Sequence, residues 1–414
     1  MPRRRLDRIY LFFAFCYLAQ GMSGIIYEPL AYLLKDVLHL GSAQAAAFVW
    51  WMTLPMLIKP VFGVLTDMLP LGGRRRRPHM ALACLIWGGA LAALAWERRF
   101  PYYTLLVLLA CVNVGLVLGD IVCDAVMVEQ GQLAGKTGPY QAVQIGILYA
   151  TIVVTGLGGG WLSAHASARQ VFALAAVFPA LALFSIVWMR EPVAPAAARQ
   201  VRLALGRVAV SRRFWAVAGL IFLWSFSPFL GTAQFYYESE TLKLGPVLIG
   251  WIDTIGGLAG AIGALAYGRL IGVWSLRQWL RACVWGGAAL ALLYLGFSGP
   301  VSAAVVTAVA GLAGVGFRLA LMDLAARACP RGAEAICFAA FMAVFNLAAA
   351  ASNLVGGWLL ERLGGVLSPA GCFEALVVIG ALCTLACRPL LAPALEGVPD
   401  AAPSELAIAQ AALG

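Results

Sequence analysis

Residues 40–78 read LGSAQAAAFVWWMTLPMLIKPVFGVLTDMLPLGGRRRRP. No charge interrupts this stretch before Lys59, and about 20 apolar residues rising about 1.5 Å each make a helix that crosses a bilayer core. The run closes on four consecutive arginines, Arg74 to Arg77, which hold that end in the cytoplasm. The pattern then returns about 200 residues later in the chain. LGPVL at 244–248 takes the place of LGSAQ at 40–44, and Trp251, Gly263 and Leu265 answer Trp51, Gly63 and Leu65. GGWL at 159–162 returns as GGWL at 356–359. Repetition in register with helices one, two and five against seven, eight and eleven means a duplicated six-helix unit.

Composition points the same way. The 414 residues are 62% hydrophobic and 12% charged, against about 25% charged in soluble domains. Reading outward with the same ruler predicts spans at 9–34, 43–66, 79–97, 102–128, 140–163 and 170–189, and again at 214–238, 246–270, 278–298, 301–326, 334–360 and 369–391. The domains are then a first six-helix bundle at 1–189, a cytoplasmic central loop at 190–213, a second bundle at 214–391 and a cytoplasmic tail at 392–414. The opening MPRRRLDR precedes an apolar run too long for a signal peptide, so it is the first helix, retained.

Lys and Arg number 29 against 19 Asp and Glu, and the excess lies between the spans. Placing the N-terminus in the cytoplasm puts about 21 basic residues on that side against about six opposite. Both termini are expected in the cytoplasm, in a plasma (inner) membrane. The charge is an orientation signal rather than a nucleic-acid surface, and the lipid bilayer is the expected surrounding. The ten cysteines lie mostly inside apolar segments and the three histidines stand alone, which predicts no metal site. No nucleophile, base and metal converge, so an enzyme is not expected.

An even number of helices per repeat gives both halves one orientation, related by an axis along the membrane normal. That is the arrangement of the major facilitator superfamily: an all-α integral membrane fold of twelve helices in two bundles around a central cavity. GVLTDMLPLGGRRRRP at 63–78 resembles that superfamily's loop between helices two and three. Its logic is a latch. Gly63 permits close helix approach, and Asp67, Arg74, Arg75 and Arg76 pair with neighbouring helices when the inner mouth is closed; a purely topogenic basic loop is the other reading.

A narrower resemblance rests on four segments: YEPLAYLLKDVLHL at 27–40, LPMLIKPVFGVLTDMLPLGGRRRRP at 54–78, GDIVCDAVMVE at 119–129 and LMDLAARACPRGAEAICFAAFMAVFNL at 321–347. Together they resemble the folate-biopterin transporter family. The resemblance implies twelve helices and uptake of folates or pterins, often with protons.

Charges inside the spans are the functional candidates, because each is costly in lipid unless paired or hydrated. Glu28, beside Pro29, is a proton site or an interfacial acid. Lys59 either snorkels to the cytoplasmic surface or faces the cavity and meets an acidic substrate. Asp120 and Asp124 share a helix face; they form a gate network with Arg74 to Arg77, or they carry protons. Arg318 and Asp323 take the matching place in the second half, Arg318 as a clamp for a carboxylate or in a structural pair with an acid on a neighbouring helix, and Asp323 as a gate. Asp253, with no cation near it in sequence, is the candidate for proton coupling or a hydrogen-bonded structural acid.

Tyr27, Trp51, Trp224 and Tyr236 are candidate walls for a flat ring, or members of interfacial belts. Asn346 is a polar cavity candidate. The glycine runs at 156–161 and 256–263 lack the strand and acidic partner of a nucleotide loop and read as helix-packing surfaces. The expected function is proton-coupled uptake of a folate, a pterin or a similar organic anion by alternating access, in a monomer, with the proton gradient rather than a cofactor as driving force. Carriage of another metabolite or drug, and a non-transporting assembly scaffold, are the alternatives.

Overall fold

The computed structural model describes residues 8–74, 76–134, 137–189, 191, 206, 210–270, 273–329 and 334–396. Arg75, most of the expected central loop and the tail from 397 therefore lie outside the described residues, as does the side chain of Asp67. Among the described residues, eleven helices are long and apolar enough to cross a membrane. The first half holds α1 (Ile9–Val37), α2 (Ser42–Thr66), α3 (Arg77–Trp96), α4 (Tyr102–Ala134), α5 (Thr137–His165) and α6 (Ala168–Trp188). The second holds α7 (Arg212–Ser225), α8 (Pro246–Leu270), α9 (Leu276–Leu292), α10 (Pro300–Ala328), α11 (Glu334–Leu363) and α12 (Pro369–Leu385).

Two compact units emerge: Met1–Leu40 with Trp51–Ala198 and Pro246–Thr254, and Gly41–Trp50 with Arg199–Gly245 and Ile255–Gly414. Within the first unit α3 packs on α4 and α6, and α1 on α5 and α6. Within the second, α9 packs on α10 and α12, and α7 on α11. The second set is the first set repeated. The duplication seen in sequence therefore extends to which helix touches which.

It extends to backbone detail as well. α1 ends in a widened turn, Leu33–Val37, and the segment after α7 ends in another, Tyr237–Thr241. Each is followed by one residue in the left-handed region, His39 at φ 51° and Lys243 at φ 55°. Leu40 N–H then donates to Leu34 O at 3.0 Å and Leu244 N–H to Glu238 O at 2.9 Å, so each turn satisfies carbonyls that a helix end leaves open.

The span expected at 214–238 is not continuous. α7 stops at Ser225, and helix resumes only at Thr232–Tyr236. Pro228 has no N–H to give, and Gly231 sits at φ 70°, a conformation that suits glycine. The interrupted backbone is satisfied from α11: Ser352 Oγ accepts from Ser227 N–H at 2.9 Å, and Asn353 Oδ1 accepts from Thr232 N–H at 2.7 Å. Asn353→Ala is expected to cost about 1–2 kcal/mol, the range for losing a cap, read as a lower melting temperature in detergent. An unchanged melt would show that the break does not depend on this amide.

α2 is also interrupted. Ile58 leaves helical geometry at φ −97° and ψ 17°, and a new helix starts at Lys59 with Pro60 in its first turn. Pro55 lies one turn earlier. The interruption sets Lys59 at a helix start rather than midway along a straight rod.

Candidate transport site

Lys59 does not snorkel. Its Nζ bonds Asp120 Oδ2 and lies 3.1 Å from Asp124 Oδ2, so one ammonium answers both carboxylates of α4. Tyr17 of α1 completes the group by donating from its hydroxyl to Asp124 Oδ1 at 3.2 Å. One turn of α4 separates the two acids, which places them on one face as the spacing requires. The cation expected from Arg74 to Arg77 is supplied instead by α2. Tyr17 was not among the sequence candidates. Its signal was a phenol inside the apolar run FFAFCYLAQ, where an unsatisfied hydroxyl is expensive.

The arginine block works elsewhere. Arg76 is buried, its Nη2 lies 2.7 Å from Glu129 Oε1, and its backbone N–H donates to Glu191 Oε1 at 3.0 Å. Arg77 Nη2 donates to Met189 O at 2.7 Å. Together they tie the start of α3 to the end of α4 and the exit of α6. Arg74 is exposed, in the tight turn that joins Leu71 to Arg74. At Gly63 a Cβ would meet nothing within 4 Å among the described residues.

In the second unit, Asp323 pairs with Arg327 one turn along α10, through contacts of 3.0 and 2.9 Å. Arg318 is thereby left to a different role. Its guanidinium lies over the Phe345 ring of α11, 5.5 Å from the centroid, and it is exposed. Asn346, half-buried, is the next residue along α11. A cation over an aromatic face is attracted by the ring, and its N–H donors suit a planar anion.

Asp253 is exposed on α8, and its direction can be read from the helix itself. The exposed apolar residues Trp251, Leu258, Ile262 and Leu265 form one stripe, and at 3.6 residues per turn Asp253 points about 150° away from its middle. The carboxylate therefore leaves the helix on the side opposite the apolar stripe. Glu28 lies against α5: a Cβ added to Gly159 or Gly160 would stand 3.4 or 3.3 Å from Glu28 Oε2. The glycine run makes room for this acid.

Residues 20–396 match the BT1 family. The chain belongs to that family. It is 28% identical over 408 residues to the folate-biopterin transporter of Synechocystis sp., covering 93% of this chain and 81% of the relative. Among solved structures, a D-xylose-proton symporter superposes with a TM-score of 0.67 at 15% identity, covering 91% of this chain and 96% of the other. The nucleoside transporter NupG does so with a TM-score of 0.72 at 13% identity, covering 92% and 99%. At such identities the structural likenesses speak for the fold, which is that of the major facilitator superfamily.

This BT1 member is thus a multi-pass membrane transporter, from a transporter family rather than an enzyme family. The family match includes Lys59, both α4 acids, Asp253 and Arg318, and begins just after Tyr17. The expected aromatic walls are dispersed in it. Trp51 is exposed together with Leu54 and Ile58, three and seven residues on, so it lies on an outward apolar face of α2. Trp224 spends its indole N–H on Cys283 O at 3.0 Å and packs on Gly287. Tyr236 is buried edge-on to Phe235, with centroids 5.8 Å apart, and Tyr27 is half exposed.

Proposed function

We propose that this BT1 member imports a folate, a pterin or a similar small organic anion together with protons, by alternating access, as a monomer in the plasma (inner) membrane with both termini in the cytoplasm. The observation that carries the reading is Arg318, exposed within a membrane-crossing helix and laid over Phe345 beside Asn346. Lipid would not tolerate an open guanidinium there. A carboxylate on the guanidinium fork and a flat heterocycle against the ring match that pair chemically. The name of the Synechocystis relative supports the same class of substrate.

Proton coupling is assigned to Asp253, whose carboxylate leaves α8 away from the apolar stripe, with Glu28 as a second site. No cofactor is needed, since the work is binding and proton transfer. The substrate is tested by counterflow of labelled folate in proteoliposomes. Exchange with another solute but not with folates would overturn the substrate class, and no exchange across a broad panel would favour an assembly scaffold.

Coupling is tested separately. Asp253→Asn is expected to keep counterflow, which needs no net proton movement, and to lose accumulation driven by an acidic exterior. Full proton-driven accumulation by this variant would remove Asp253 from the mechanism.

A further inference from the structure

Lys59 is already occupied in this structure, and by two partners of unequal hold. Asp120 makes the closer contact with Nζ and its side chain is the less exposed, at 30%. Asp124 stands off at 3.1 Å and its side chain is 43% exposed. A second tie holds Asp124 to the Tyr17 hydroxyl at 3.2 Å. One lysine against two aspartates leaves the group with a net charge of −1. A second buried lysine would have neutralised it, and among the described residues none faces it. The groups that do are Tyr17 and Cys16 from α1, Lys59 from α2, and Asp120, Cys123 and Asp124 from α4.

We propose that this cluster is a charge-exchange site, in which the carboxylate of an anionic substrate displaces Asp124 from Lys59 and the displaced Asp124 takes up a proton. The inference rests on the organic-anion reading above and adds to it the place where substrate charge is traded for a proton. Charge decides the step. An incoming carboxylate without a proton would raise the net charge of a half-buried group from −1 to −2, which desolvation strongly opposes. With one proton taken from water onto an Asp124 oxygen, Lys59 (+1), Asp120 (−1), neutral Asp124 and the substrate carboxylate (−1) again sum to −1.

Asp124 is the residue that yields, because its side chain is the more exposed of the two and the Tyr17 hydroxyl can hold it once it leaves Lys59. Asp120 stays and keeps Lys59 charged. Tyr17 is a positioning residue: its hydroxyl donates to the ionised Asp124 and can turn to accept from the protonated one. When the substrate leaves, Lys59 recovers Asp124 and the proton is released, so the site cycles with the cargo.

The chemistry makes a sharp distinction between ligands. Folate brings carboxylates; biopterin has the same bicyclic ring and none. Isothermal titration of the purified full chain near neutral pH, repeated in buffers of different ionisation enthalpy, counts the protons taken up on binding. Wild type is expected to take up about one proton with folate and none with biopterin. Asp124→Asn is expected to bind folate with no proton uptake and with an affinity that no longer varies with pH. Tyr17→Phe is expected to shift that pH profile without flattening it.

Folate binding to wild type without proton uptake would overturn the proposal, as would undiminished uptake in Asp124→Asn. Equal uptake with biopterin would do the same, since no carboxylate is then involved. Failure to bind either ligand overturns the substrate class of the preceding section and this site with it. Where Asp124→Asn fails to fold, Asp253→Asn decides the matter: it should still take up about one proton with folate, and loss of that uptake would move the proton from Asp124 to Asp253 and overturn the proposal.

Discussion

Lys59→Gln is expected to lower stability by about 2–4 kcal/mol, toward the cost of removing one partner from a buried ion pair, reduced because the acids are partly exposed. Two carboxylates one turn apart then stand side by side on one face of α4, with Tyr17 as the remaining donor among the described residues. The loss should be greatest at neutral pH, where both acids are charged. It should shrink as the pH falls, because protonating one of them ends the repulsion. Adding Asp120→Asn to Lys59→Gln should recover most of the loss, since the double variant removes the charge conflict along with the pair. Melting temperatures of wild type, both single variants and the double variant in detergent form the cycle that measures this. Additive effects would mean that Lys59 and Asp120 are not coupled, and the role given to the cluster would fall with them.

A large effect is also expected from Gly357→Leu. A Cβ at Gly357 would stand 2.4 Å from Ala46 Cβ and 2.5 Å from Ser42 O, distances no side chain occupies. Ser42 Oγ also donates to Gly357 O at 3.0 Å, and Ala43 N–H donates to Glu361 Oε2 at 3.2 Å, which caps the start of α2. The same joint occurs in the first unit. A Cβ at Gly160 would stand 2.6 Å from Pro246 O and 3.0 Å from Gly250 Cα. The repeated GGWL therefore exists for contact: in each copy its second glycine receives the first turns of a helix, α2 on α11 and α8 on α5. Leucine at Gly357 must push the backbones apart, at about 1–3 kcal/mol for overpacking, so the melting temperature should fall, and uptake should fall with it because the joint between α2 and α11 is displaced. Gly314→Ala provides the contrast, because a Cβ there meets nothing within 4 Å among the described residues; it should leave uptake unchanged and melting unchanged or slightly raised, since alanine suits a helix interior better than glycine. Equal effects at Gly357 and Gly314 would show that close packing is not the cause.

Much of this molecule was legible before any coordinates. Length, hydropathy and the arginine positions impose a membrane protein with a duplicated six-helix unit, because apolar runs of that length have no other stable setting and because a repeat in register leaves the same residues at the same places twice. The residues of the proposed site, Lys59, Asp120, Asp124, Asp253 and Arg318, stood out too, as charges where lipid forbids them. Two features escaped for want of periodicity. The break at 226–231 needed the side chains of Ser352 and Asn353 from a helix more than 100 residues away to satisfy it. The widened turns at Leu33–Val37 and Tyr237–Thr241 carry no composition of their own.

Pairing was what the tertiary structure alone decided. Helical spacing says which residues share a face, so it put Asp120 beside Asp124, but it does not say which helix that face meets. The basic block at Arg74 to Arg77 was nearest in topology, yet α2 delivers Lys59 and α1 delivers Tyr17, while Arg76 closes on Glu129. Asp323 likewise found Arg327 on its own helix, and Arg318 lies over Phe345 of α11. A buried charge settles on whatever opposite charge the packed helices bring within about 4 Å, and that neighbourhood is created by folding.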